Sequence, residues 1–170
     1  MVVGVFQERA SIITFMNIYF GLGSNLGDRL ENLNGAIEKL KSLGKLTGIS
    51  SFIETAPWGG VEQPNFLNAC AKIEAKKNYS PLEILRAVKN FEIQLGRVES
   101  VRWGPRKIDI DILLIDDLIF HSPLLDVPHI RIPERLFVLV PLEEILPAGW
   151  RHPENNQSIR EMIKALKENY

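Results

Sequence analysis

The chain has 170 residues, 45% hydrophobic and 24% charged, the balance of a single ordinary globular domain, which excludes disordered, collagen-like and coiled-coil architectures. Twenty Lys and Arg against 21 Asp and Glu leave a formal net charge of −1. Any site for a polyanion must therefore be a local cluster of cations, not the global field of a nucleic-acid binder.

No apolar run approaches the ~20 residues of a membrane-spanning helix. Residues 1–16 are mildly apolar but interrupted by Glu8 and Arg9, with no small-residue cleavage pattern. They read as an N-terminal extension, neither signal nor anchor, ahead of one domain over 17–170. Residues 17–23 are short, aromatic and β-branched and stop at Ser24-Asn25, predicting a strand that enters a turn. Asp28 three residues before Glu31 resembles a capping box. Leu30, Leu33, Ile37 and Leu40 recur at helical spacing, and Gly44 stands where a left-handed C-terminal cap would sit.

Strands are predicted over 45–54 and 66–75, joined by a loop over 55–64 that is long for a hairpin and reads as a functional flap. The single cysteine, Cys70, can form neither an internal disulfide nor a cysteine zinc cluster, which fits a reducing cytoplasm. Among Leu67, Ala69, Ala71 and Ile73 it reads as a core filler. Ser80-Pro81 supplies an N-cap and an N1 proline for a second helix, with Leu82, Leu85, Val88, Phe91 and Leu95 as its buried stripe and Gly96 at its end. Residues 108–115 form the fourth strand, whose apolar continuation describes burial on both faces and argues against a sheet edge. Asp116-Asp117 is a turn, 118–120 a returning edge strand, and 141–146 and 158–166 are helices. The order predicts an α+β, ferredoxin-like βαββαβ core with an additional C-terminal strand hairpin and helices.

The chemistry is concentrated in residues 96–111. Asp109 and Asp111, two apart on a strand, project from one face with side-chain bases roughly 7 Å apart. Two carboxylates plus the oxygens of a polyphosphate suit Mg²⁺ in an octahedral site that keeps some waters. A second reading stays open: a polar strand edge whose acids are neutralised by Arg106 or Lys107. Arg97, Arg102 and Arg106 precede the acids in a segment carrying Gly96, Gly104 and Pro105. Guanidinium forks bind phosphate oxygens, and glycine lets a loop fold over a ligand. Cations facing a metal-binding acid pair are the parts of phosphoryl transfer, although three arginines also make an ordinary solvated loop. His121, His129 and His152 have neither cysteine partners nor helical spacing for a zinc site.

Gly21-Leu22-Gly23-Ser24-Asn25, the loop 55–68 and, above all, Arg102-Trp103-Gly104-Pro105-Arg106 followed by Asp109-Ile110-Asp111 resemble the 6-hydroxymethyl-7,8-dihydropterin pyrophosphokinases of folate biosynthesis. The likeness runs over about residues 17–147 in the same order and spacing. It implies transfer of the β,γ-pyrophosphoryl group of ATP to the pterin hydroxymethyl group, leaving AMP, by in-line attack with no covalent enzyme intermediate. By the same resemblance Asp109 and Asp111 would hold two Mg²⁺, Phe66 and Phe137 would sandwich the pterin, and Asn68 would hydrogen-bond its edge. Thr55, Ala56 and Trp58 would complete that pocket, and Arg97, Arg102 and Arg106 would neutralise developing charge.

Glu92, Trp103, Ile112, His129 and Arg135 match positions at or beside the ATP site. The implied partners are the pterin and ATP in the cytoplasm, with no nucleic acid, membrane or obligate protein partner. Without the family, Phe66 and Phe137 read as core aromatics and His129 as a local hydrogen bonder beside Pro128. Two positions depart from the pattern: Glu99 stands near a frequent arginine, with Lys89 a candidate to compensate, and Ile130 replaces a frequent aromatic. The rival functions are a non-catalytic ligand-binding module and a Mg²⁺-dependent nucleotidyltransferase that would transfer AMP.

Overall fold

The computed structural model describes residues 15–57, 62–98 and 104–168. The expectations placed on residues 1–14, Trp58, Glu99, Arg102 and Trp103 fall outside them. In chain order come β1 (Asn17–Ser24), α1 (Arg29–Leu40), β2 (Gly44–Ile49), β3 (Ile53–Thr55), β4 (Phe66–Ala75), α2 (Pro81–Gln94) and β5 (Asp109–Ile115). A short hairpin of β6 (Phe120–His121) and β7 (Asp126–Val127) follows, then a 3-10 turn (Ile132–Glu134), α3 (Leu136–Ile145) and α4 (Ile159–Glu168). The strands pair antiparallel in the order β2-β4-β1-β5, with β3 also on β4. The α+β class holds, as does the pattern of strands and helices apart from the extra strand β3.

That extra strand arises because 45–54 breaks at Ser50. The Ser50 N–H donates to the Cys70 carbonyl at 2.9 Å, and its hydroxyl accepts from the Cys70 N–H at 2.8 Å. The serine thus stands in for a ladder residue while the chain bends from β2 to β3 along the same neighbour.

Hydrophobic side chains cover both faces of the sheet. On one, Ile18, Phe20 and Leu22 of β1 and Ile110 and Ile112 of β5 meet Leu33, Ile37 and Leu40 of α1 and Ile84 and Val88 of α2. On the other, Tyr19, Cys70, Leu113 and Leu114 meet Ile132, Leu139, Leu142, Ile159 and Met162. Cys70 is therefore the expected core filler. Strand β5 nevertheless ends the sheet, contrary to the expectation drawn from its apolar run. Such a run reports cover on two faces, not neighbours along two edges.

Several local expectations are corrected. Leu30 and Leu82 are exposed, because the buried face of α1 starts at Asn32 and Leu33, and that of α2 centres on Ile84, Val88 and Glu92. The N-caps hold: Asp28 accepts the Glu31 N–H, and Ser80 and Glu83 form a complete capping box with Pro81 in the first turn. Gly96 ends α2 at φ +83°. Gly44 caps nothing; it lies in β2, where a Cβ would stand 2.0 Å from the Glu74 carbonyl oxygen, so close strand approach demands glycine there. Helix α3 begins before Pro141, which sits inside it, buried. Residues 118–120 do not return to the main sheet, since Phe120 and His121 pair with Val127 and Asp126. Met16, assigned to the extension, belongs to the fold: its carbonyl accepts the Ala75 N–H at 2.8 Å and its side chain packs on the first core.

Candidate active site

Two glycines of β1 make the floor of a cleft. Gly23 is in register with Asn68 of β4 on one side and Asp109 of β5 on the other, and Gly21 likewise with Cys70 and Asp111. Period-two alternation sends these side chains to one face, the face that α3 covers further along the sheet. A Cβ on Gly23 would lie 3.1 Å from Asn68 Oδ1 and 3.6 Å from a Phe66 ring carbon. Glycine therefore clears space for the amide and the ring. The result is an open cleft of about 880 Å³.

Of the residues singled out in the sequence, Thr55, Ala56, Phe66, Asn68, Glu92, Arg97, Arg106, Asp109, Asp111, His129, Arg135 and Phe137 all line it. Ile112 does not; its side chain is buried in the first core, on the opposite face from the acids. Sequence reasoning missed Gln63, Ile93, Val98 and Arg131 as lining residues. Gln63 carried a weak signal, a polar side chain beside Pro64 in the long loop. Ile93 and Val98 carried none, since exposed apolar residues are common on any surface.

The cleft is electrically distinct from the rest of the chain. Among the described residues its lining has five cationic side chains, Lys89, Arg97, Arg106, Arg131 and Arg135, against the three carboxylates of Glu92, Asp109 and Asp111. Arg97 Nη1 donates to Asp109 Oδ1 at 2.7 Å, and Arg106 Nη1 to Asp109 Oδ2 at 3.0 Å. Arg135 Nη1 stands 3.8 Å from Asp111 Oδ2. Burial pulls the Arg97 pKa down, but the charges of Asp109 and Glu92 outweigh it and hold it above its ordinary value. Burial, reinforced by the charge of Asp109, pushes the Asp111 carboxyl up to about 7.

Both cleft aromatics are faced by a guanidinium. Arg106 lies 5.7 Å from the Phe66 ring centroid and Arg135 5.5 Å from that of Phe137, within cation–π range. Phe137 also packs against the second core, so one side chain serves the core while lining the cleft. The Asn68 amide donates to Thr55 Oγ1 at 2.8 Å, which fixes the rotamer and leaves Oδ1 toward Gly23. Burial, with Arg135 and Arg131 nearby, lowers His129 to about 4, so its imidazole is neutral at physiological pH. Its Nδ1 accepts the Arg131 N–H at 3.1 Å, which leaves the proton on Nε2.

The donor set fits Mg²⁺. Two hard carboxylates on one strand face repel each other, and a divalent cation would relieve that repulsion together with the cost of burying Asp111, the larger cause of its raised pKa. Among the described residues, no three or more His, Cys, Asp or Glu side chains are grouped so that they could hold a metal ion by themselves. The remaining coordination positions would thus fall to water and phosphate oxygens, which Mg²⁺ favours. The Cys70 thiol is pushed up by burial and offers no nucleophile. An acid pair beneath a cluster of guanidinium groups suits phosphoryl transfer, a chemistry of positioning and charge neutralisation.

Known proteins agree with that class. The profile of 7,8-dihydro-6-hydroxymethylpterin-pyrophosphokinase (HPPK) matches residues 19–147. The 2-amino-4-hydroxy-6-hydroxymethyldihydropteridine pyrophosphokinase of Aquifex aeolicus (strain VF5) is 43% identical over 144 residues, covering 85% of this chain and 88% of that protein. Its namesake in Bacillus subtilis (strain 168) is 39% identical over 152 residues, covering 88% and 90%. A crystal structure of a Plasmodium falciparum HPPK-DHPS triple mutant with STZ-DHP aligns at TM-score 0.72 and 17% identity, over 92% of this chain and 45% of that one. The chain thus spans about half the length of that neighbour, whose likeness concerns the fold. The chain belongs to the HPPK family. Among the described residues, no helix is long and apolar enough to cross a membrane.

Proposed function

We propose that the cleft transfers the pyrophosphoryl group of ATP to the hydroxymethyl group of 6-hydroxymethyl-7,8-dihydropterin, giving AMP and the pterin diphosphate, in the cytoplasm. The observation that carries this reading is the row Asn68–Gly23–Asp109, which sets a half-buried aromatic and a buried amide beside an acid pair in one cleft. Family membership supports the same reaction.

In this reading the pterin enters between Phe66 and Phe137. Its ring gains roughly 0.5–1.5 kcal/mol per aromatic face beyond area burial. Asn68 Oδ1 accepts from the heterocycle edge, with the amide held by Thr55, and Ala56 and Trp58 close the pocket. ATP lies on the cationic side, where Arg97 and Arg106 turn their forks from Asp109 to phosphate oxygens. Arg102, Trp103, His129 through its neutral Nε2–H, and Arg135 complete that side.

Asp109 and Asp111 would hold Mg²⁺, two ions by resemblance to the family, and the metal would supply charge neutralisation at the triphosphate and acidify the attacking hydroxyl. In this reading the substrate hydroxyl attacks the β-phosphorus directly, and Arg97 and Arg106 neutralise the charge that develops.

Product analysis with ATP, Mg²⁺ and the pterin tests the reading. AMP with a pyrophosphorylated pterin is expected. Pyrophosphate with an adenylylated acceptor would establish a nucleotidyltransferase, and no ATP consumption would establish a binding module.

A further inference from the structure

The amide between Asp109 and Asp111 belongs to Ile110, and β5 has no strand on its outer side among the described residues. That N–H donates instead to Glu92 Oε1 of α2 at 2.8 Å. Glu92 is the third member of the buried face of α2 after Ile84 and Val88, and its side chain is 3% exposed. A carboxylate persists in such a place only when it is paired and hydrogen-bonded. Oε1 also takes the Arg97 guanidinium, while Oε2 takes Lys89 Nζ at 3.0 Å. Arg97 reaches on to Asp109 Oδ1. One oxygen atom therefore grips both the backbone between the two acids and the cation that pairs with the first of them.

We propose that Glu92 is a positioning residue: through Oε1 it fixes the Asp109–Asp111 segment and Arg97 relative to each other, and it contacts neither substrate. The resemblance alone placed it beside the nucleotide, but protein groups occupy both its oxygens. The proposal rests on the reading of Asp109 and Asp111 as metal ligands. Its physical core is reach. Glu92→Gln keeps Oε1 for Ile110 and Arg97 and turns an NH₂ only toward Lys89, whose side chain is 52% exposed and free to swing into water. Glu92→Asp keeps the charge but withdraws it by one methylene.

Both variants and the parent chain are compared in two measurements. In metal-free protein, the Ile110 amide is expected to exchange within about threefold of the parent rate in Glu92→Gln, and about ten- to a hundredfold faster in Glu92→Asp, the range for loss of a hydrogen bond to a charged group. In turnover, Glu92→Asp is expected to raise the Mg²⁺ concentration for half-maximal rate by about tenfold or more, with a smaller shift in Glu92→Gln. Equal behaviour of the two variants in both measurements, or a better Asp than Gln, would overturn the proposal by showing that charge or bulk, not reach, is what matters. A parent chain that makes no AMP defeats the functional reading instead, and the exchange measurement still decides whether Glu92 holds the strand.

Discussion

Asn68 and Asp109 stand on opposite sides of one glycine: each is the register partner of Gly23, one from β4 and one from β5. Neighbouring strands lie about 4.8 Å apart. The backbones that carry the amide assigned to the pterin and the acid assigned to the metal are thus held about 10 Å apart by two sheet spacings.

The glycine itself is testable. Gly23→Ala places a methyl 3.1 Å from Asn68 Oδ1, tighter than ordinary contact, so the amide must shift. Pterin affinity should fall about tenfold, within the range of overpacking effects. Gly44→Ala is the contrasting case, since its methyl meets the backbone of Glu74. Urea denaturation should show a loss of at least about 3 kcal/mol there, far more than at Gly23.

Asp109→Ala and Asp111→Ala should each lower Mg²⁺-dependent turnover on the order of a hundredfold or more, as loss of a preorganised electrostatic group does. Pterin binding measured by calorimetry without metal should persist, since stacking needs no cation. Full turnover in either variant would remove the metal assignment.

Phe66→Ala and Phe137→Ala should each weaken pterin binding by about tenfold or more with little change in ATP affinity. The two should differ in stability. Phe137 packs on the second core, so its loss should also lower the melting temperature.

The pH dependence of stability in metal-free protein follows from two opposed groups. Asp111 holds its proton up to about 7, against 3.8 ordinarily. Between those values the folded chain binds a proton that the unfolded chain has released, so stability falls as pH rises through the window. His129 is lowered from 6.5 to about 4; there the unfolded chain binds the extra proton, and stability rises with pH. Asp111→Asn should therefore steepen the rise in stability between pH 4 and 6.5, and His129→Gln should flatten it, as read by urea midpoints.

Residues 1–15 carry none of the motifs shared with the family, so their removal should keep turnover within about twofold and cost at most ~1 kcal/mol by urea denaturation. Removing Met16 as well takes away the acceptor of the Ala75 N–H and should cost more by the same urea measurement.

Short-range rules made the acid pair and the helix ends legible, whereas the cleft aromatics and Asn68 entered the candidate site only through the family resemblance. Alternation alone put Asp109 and Asp111 on one face, and turn chemistry alone placed Ser80, Pro81 and Gly96. What escaped was set by partners distant in sequence. Gly44 answers to Glu74, thirty residues away, and its role in close packing looks the same in sequence as a helix cap. The apolar run of β5 could not distinguish an edge strand with two covered faces from an interior strand. Leu82 has the spacing of a core residue, but the buried face of α2 instead carries Glu92, a carboxylate that periodicity in hydrophobicity necessarily overlooks. Ile112 followed the acids in sequence, yet alternation turns its side chain into the core.

The outer margin of β5 has a bearing on colloidal behaviour. A strand at the end of a sheet offers free N–H and C=O groups as a template on which another molecule can add, the usual route to edge-to-edge aggregation. Here Glu92 takes the Ile110 N–H, and the His129 N–H donates to the Leu113 carbonyl at 2.9 Å. Residues that shape the cleft therefore also withhold these two positions from intermolecular pairing. Substitutions at Glu92 or in the segment around His129 carry a solubility risk on this account, separate from any effect on turnover and visible as concentration-dependent light scattering.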